Sequence, residues 1–161
     1  MLFLQCIIFC ILFFLLIIPA QYKNPMIMIA SYPPEVKERI KQLPQYKHLF
    51  QQQNRSHLTK KMIGFLFLVL LLAVLARLSG CRNFLSAFLH VFILMMSVNL
   101  FDLIVMDWGI FCHSKRLRIP GTEDMEAAYR DHLFHLKGAF KGVVLSLIMA
   151  LLSGSFLLFF P

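Results

Sequence analysis

The sequence predicts an all-α polytopic membrane protein, with four transmembrane helices and short amphipathic cytoplasmic helices, from three observations. Hydrophobic residues make up 59% of the chain, against roughly 45–50% in a soluble domain. They are gathered into long uncharged blocks rather than spread at the spacing of a single buried core. The cations are confined to the connectors between those blocks.

The blocks set the spans. Leu2 to Pro19 has no charge, Met62 to Ala76 is apolar throughout, Phe84 to Phe101 has His90 and Asn99 as its most polar members, and Gly142 to Phe160 has only serines. A hydrocarbon core about 30 Å thick takes about 20 residues of helix, the element that satisfies its own backbone there. One integral membrane domain over residues 1–161 follows, with spans at about 2–20, 61–78, 84–106 and 140–160 and long loops at about 21–60 and 107–139. The second span has the shortest apolar run, and Lys60, Lys61 and Arg77 lengthen it by reaching toward the head groups.

Charge gives the orientation. Of sixteen Lys and Arg residues, eight lie between the first two spans, six (Lys115, Arg116, Arg118, Arg130, Lys137, Lys141) between the last two, and only Arg77 and Arg82 in the turn between the second and third. Loops rich in Lys and Arg stay inside. A cell-membrane location is therefore expected, with both long loops cytoplasmic and both termini outside. Cleavage after Ala20 is the rival reading of the first segment, opposed by the lack of a basic n-region and by the export of eight cations that it would entail. The net charge of +8 is a topology signal, so the expected partner is the lipid bilayer and not nucleic acid.

In the first loop Pro34 suits the start of a helix, and Val36, Ile40 and Leu43 recur on one face up to Pro44. That face meets either the inner leaflet or the other cytoplasmic loop. The segment "HLFQQQNRSHLTKK" beyond it reads as polar connector.

In the second loop, "RIPGTED" (118–124) places Pro-Gly at the centre of a type II turn, Thr122 as a helix cap, and Glu123 and Asp124 in the first turn of an amphipathic helix running toward Gly138. A ligand site built from Arg116, Arg118, Glu123 and Asp124 is the alternative. The two acids repel a phosphate, so a metal ion or cationic group suits that site better.

The sharpest chemical candidates are Asp102, Asp107, His132 and His135. They read as an acid/base site for a lipid-like substrate, and the His-x-x-His spacing of 132 and 135 as a weak metal pair; no metal site is assigned and the cofactor is unknown. At 3.6 residues per turn Asp102 and Asp107 point about 140° apart, so one α-helical face cannot present both. His90 reads as a helix-to-helix hydrogen-bond donor. Gly142, Ser146, Ala150 and Gly154 form a small-residue stripe for close helix packing, against another span, another membrane protein or a second copy.

With "DLIVMDW" followed by "RIPGTED", residues 99–141 resemble small, uncharacterised bacterial membrane proteins with four spans and a similar polar segment before the last. That resemblance implies a class and no chemistry. A structural or accessory membrane protein is the first expectation, a small membrane-interface enzyme the second. A small transporter is the third, disfavoured by the lack of broken mid-membrane spans and of a repeat between the halves.

Overall fold

The computed structural model describes residues 1–46 and 56–159. Residues 47–55, which include most of the predicted connector, and Phe160 and Pro161, at the end of the fourth block and just past it, lie outside the described residues. Among those described there is helix and turn but no strand, and four helices are long and apolar enough to cross a membrane: Leu2–Lys23, Thr59–Leu78, Phe84–Phe111 and Glu126–Leu158.

The regular elements are α1 (Leu2–Lys23), a 3-10 segment (Pro25–Ser31), α2 (Pro34–Gln42), a short 3-10 turn (Pro44–Tyr46), α3 (Ser56–Leu78) and α4 (Phe84–Phe101). The backbone of α4 then widens into a π-helix (Asp102–Phe111), followed by a 3-10 turn (Lys115–Leu117), α5 (Glu126–Tyr129) and α6 (His132–Phe159). The helical course thus exceeds the predicted spans in four places, the first being α1, which runs past 20 to Lys23. Helix α3 begins before Lys61, the third helical run continues past 106 to Phe111, and the fourth starts at His132 inside the predicted loop. Asp131 causes the last difference, since its Oδ1 accepts from the Phe134 N–H at 3.0 Å and caps α6. The expected cap, Thr122, is buried and bonded elsewhere.

The chain divides into two compact units, one holding residues 1–10, 54–99 and 140–161, the other residues 11–53 and 100–139.

In the first unit, Val69, Leu72, Ala73 and Ala76 of α3 pack with Ala87, Val91 and Leu94 of α4 and Met149, Ala150 and Leu157 of α6. A Cβ on Gly142 would run into the Asn99 side chain, and one on Gly154 would lie 3.1 Å from the Phe84 ring. These two contacts run in opposite order along α4 and α6, so the helices are antiparallel, and with Ser146 and Ala150 buried the small-residue stripe is the seat of α4. Ser153 Oγ donates to the Val69 carbonyl at 3.1 Å. A polar chain ties α1 to both neighbours: Gln5 donates from Nε2 to Ser79 Oγ at 2.8 Å, and its Oε1 accepts from His90 Nε2 at 2.7 Å. His90 is thus the interhelical donor expected from the sequence. Helix α3 ends where Gly80 turns left-handed at φ +92° and the Cys81 N–H returns to the Ala76 carbonyl.

In the second unit, Val36 and Ile40 of α2 are fully buried against Tyr32, Phe111, Leu117, Ile119 and Tyr129. The apolar face of α2 is therefore covered by the other loop, one of the two alternatives left open by its pattern. Asn24 opens the preceding 3-10 segment by accepting from the Met26 N–H at 3.0 Å.

Candidate functional site

Pro120 and Gly121 form the central pair of the expected turn: Gly121 has φ +91°, and the Thr122 N–H closes it on the Ile119 carbonyl at 3.0 Å. The residues around the turn satisfy one another. Thr122 Oγ1 donates to the Ile119 carbonyl at 2.7 Å, and the Ile119 N–H donates to Tyr129 Oη at 3.0 Å. Having spent its hydrogen there, Thr122 accepts from the Tyr129 hydroxyl at 2.6 Å, and the ring closes. Tyr32 adds a 2.8 Å bond from its hydroxyl to the Leu117 carbonyl. Its burial, with the Tyr129 hydroxyl close by, holds the Tyr32 phenol well above the ordinary tyrosine range.

The four ligand candidates on this segment are already engaged, with different partners. Arg118, its side chain only 8% exposed, lies 3.6 Å from Glu126 and donates to the Glu123 carbonyl at 3.2 Å. The Glu123 carboxylate accepts from the Gly121 N–H at 2.8 Å. Asp124 pairs with Arg39 at 2.8 Å, and Arg116 lies over the Tyr22 ring, 5.0 Å from its centroid. "RIPGTED" is in this sense a packed turn.

The catalytic candidates are brought together more closely. The π-helix is bonded i to i+5, as in the 2.9 Å bond from the Cys112 N–H to the Asp107 carbonyl, so residues five apart follow one another along a face. Asp107 is thereby turned to the side of Asp102, which lies within electrostatic reach of both Asp107 and His135. The expected 140° separation assumed 3.6 residues per turn, and the wider winding narrows it. Gly109 suits this winding, because a Cβ there would sit only 3.3 Å from the Ile104 carbonyl oxygen, five residues back.

His135 Nδ1 lies 3.1 Å from Asp107 Oδ2, and the imidazole is 3% exposed. Phe111 and Phe134 present their rings to it edge-on, at 5.1 and 5.4 Å between centroids. One rung along the same helix pair, Trp108 stacks on His132 at 5.5 Å. Two buried nitrogens in this seam have no hydrogen-bond partner, His135 Nε2 and Trp108 Nε1. Next to it Cys112 is 1% exposed, and burial reinforced by the Asp107 charge pushes its thiol up to about 11.

His132 and His135 thus take different partners, and among the described residues no three His, Cys, Asp or Glu side chains converge on a point that could hold a metal. A carboxylate holding an imidazole by Nδ1, with Nε2 unpaired, can move a proton. Sequence reasoning did not single out Trp108; its signal was the aromatic directly after Asp107, three residues from the next aromatic that touches a histidine. Compared with known protein families, with curated proteins and with solved structures, the chain matches none of them.

Proposed function

We propose that the chain is a multi-pass membrane protein whose Asp107–His135 pair performs acid/base chemistry on an amphiphilic substrate at the cytoplasmic membrane face. The observation that carries this reading is His135, a buried imidazole held by a carboxylate at 3.1 Å with its second nitrogen unmatched. A buried nitrogen without a partner costs about 1–3 kcal/mol, and π-helix is rare and frequently found at functional sites; both are easier to explain where a substrate uses them. The membrane part is supported by the four apolar helices and by large apolar side chains such as Phe3, Leu16 and Phe67, more than 65% exposed, which hydrocarbon would cover. The cytoplasmic assignment rests on the basic connectors.

Lipid extracts of membranes carrying the wild-type chain, Asp107→Asn or His135→Gln test it. A species made or consumed by the wild type and unchanged by both variants is expected. Identical extracts from all three would sink the reading. A structural or accessory role is the second reading, favoured by the self-satisfied Ile119–Thr122–Tyr129 ring; it predicts those identical extracts together with a co-purifying membrane protein.

A further inference from the structure

The site also carries information about the group it would receive. As a carboxylate Asp107 only accepts hydrogen bonds, so His135 Nδ1 carries the hydrogen across their 3.1 Å contact. A neutral ring then offers Nε2 as an acceptor. Trp108 Nε1 can only donate. The seam therefore leaves one buried acceptor and one buried donor unmatched on adjacent rungs, Asp107 with His135 and Trp108 with His132.

Few groups match that pair. A phosphate dianion or a carboxylate has no hydrogen for Nε2, and Asp102 and Asp107 repel it. An ammonium can donate to Nε2 but accepts nothing from the indole. A hydroxyl does both. The two segments that carry the seam also expose the apolar side chains Ile104, Val105 and Leu133, which a hydroxyl borne on a hydrocarbon chain would meet.

We propose that this seam binds the hydroxyl group of a neutral lipid alcohol, which donates to His135 Nε2 and accepts from Trp108 Nε1. The proposal rests on the acid/base reading above, in which the same Nε2 takes the proton.

Trp108 is the single tryptophan of the chain, so its emission reports from the site. The full chain in dodecyl maltoside micelles is titrated with hexadecanol, hexadecyl methyl ether, palmitate and hexadecylamine at equal mole fractions. Hexadecanol is expected to change Trp108 emission saturably and raise the melting temperature, with the other three at least about tenfold weaker. His135→Phe and Trp108→Phe are each expected to abolish the rise in melting temperature. An equal response to the ether or to palmitate overturns the proposal, as does a response that survives in His135→Phe. The comparison among amphiphiles needs only the wild-type chain, so it decides even where a variant does not fold. A lipid profile that depends on His135, without preference for the alcohol, would overturn the hydroxyl assignment and leave the acid/base site standing. Alcohol-selective binding with unchanged lipid profiles would do the reverse.

Discussion

Tyr32 shows how much of the second unit depends on single polar atoms. Its hydroxyl serves the Leu117 carbonyl at the centre of a buried aromatic cluster, and Tyr32→Phe leaves that carbonyl unmatched, at a cost of about 1–3 kcal/mol. The elevated phenol adds a pH dependence. Because the folded state holds this proton more tightly than the unfolded chain, its contribution is complete below the ordinary value of 10.0 and falls as pH rises above it. Cys112 follows the same sign over a lower window, between 9.0 and about 11. Thermal unfolding in detergent across that alkaline range should show a loss that begins later in Cys112→Ala and is smaller in Tyr32→Phe. Curves parallel to the wild type would contradict both assignments. Asp107 gives a graded test: Asp107→Asn keeps an oxygen for the imidazole, whereas Asp107→Ala strands a buried N–H and should unfold at lower temperature than the Asn variant.

Among the elements, the π-helix and α6 make opposite demands on glycine. Gly109→Ala adds a Cβ against the Ile104 carbonyl and raises α-helical preference by about 1 kcal/mol, so the segment should rewind toward α and separate Asp107 from His135. Amide exchange and carbon shifts over 102–112 would register the change with total helicity unaltered. Gly142→Leu and Gly154→Leu force side chains into Asn99 and Phe84 and should cost about 1–3 kcal/mol each. At Gly138 a Cβ meets nothing within 4 Å, so Gly138→Ala should be stabilising by about 0.5–1 kcal/mol; equal melting points for these three variants would contradict the packing. The stripe, the Pro-Gly turn and the α2 face were legible because each is a local pattern with one geometric solution. The π winding was not, since a continuous apolar run shows no period to distinguish five residues from four. The α6 start was misplaced for a related reason: Thr122 and Asp131 are both good caps, and only tertiary burial of Thr122 decides between them.

For the whole molecule, the four apolar helices were readable from composition alone, because uncharged blocks of that length have few other destinations. The site was legible only as a set of names. Asp107 and His135 are 28 positions apart, and nothing local specifies that they meet; the meeting depends on how the π-helix and the first turns of α6 pair. The proposed chemistry also needs the basic connectors on the inner side, which makes topology the most direct test. In a chain with its four cysteines replaced, Arg82→Cys and Lys115→Cys each carry one exposed thiol for a membrane-impermeant maleimide applied to intact cells. Labelling at position 82 without permeabilisation, and at 115 only after it, is the predicted result; labelling at 115 in intact cells, or at 82 only after permeabilisation, would contradict the account.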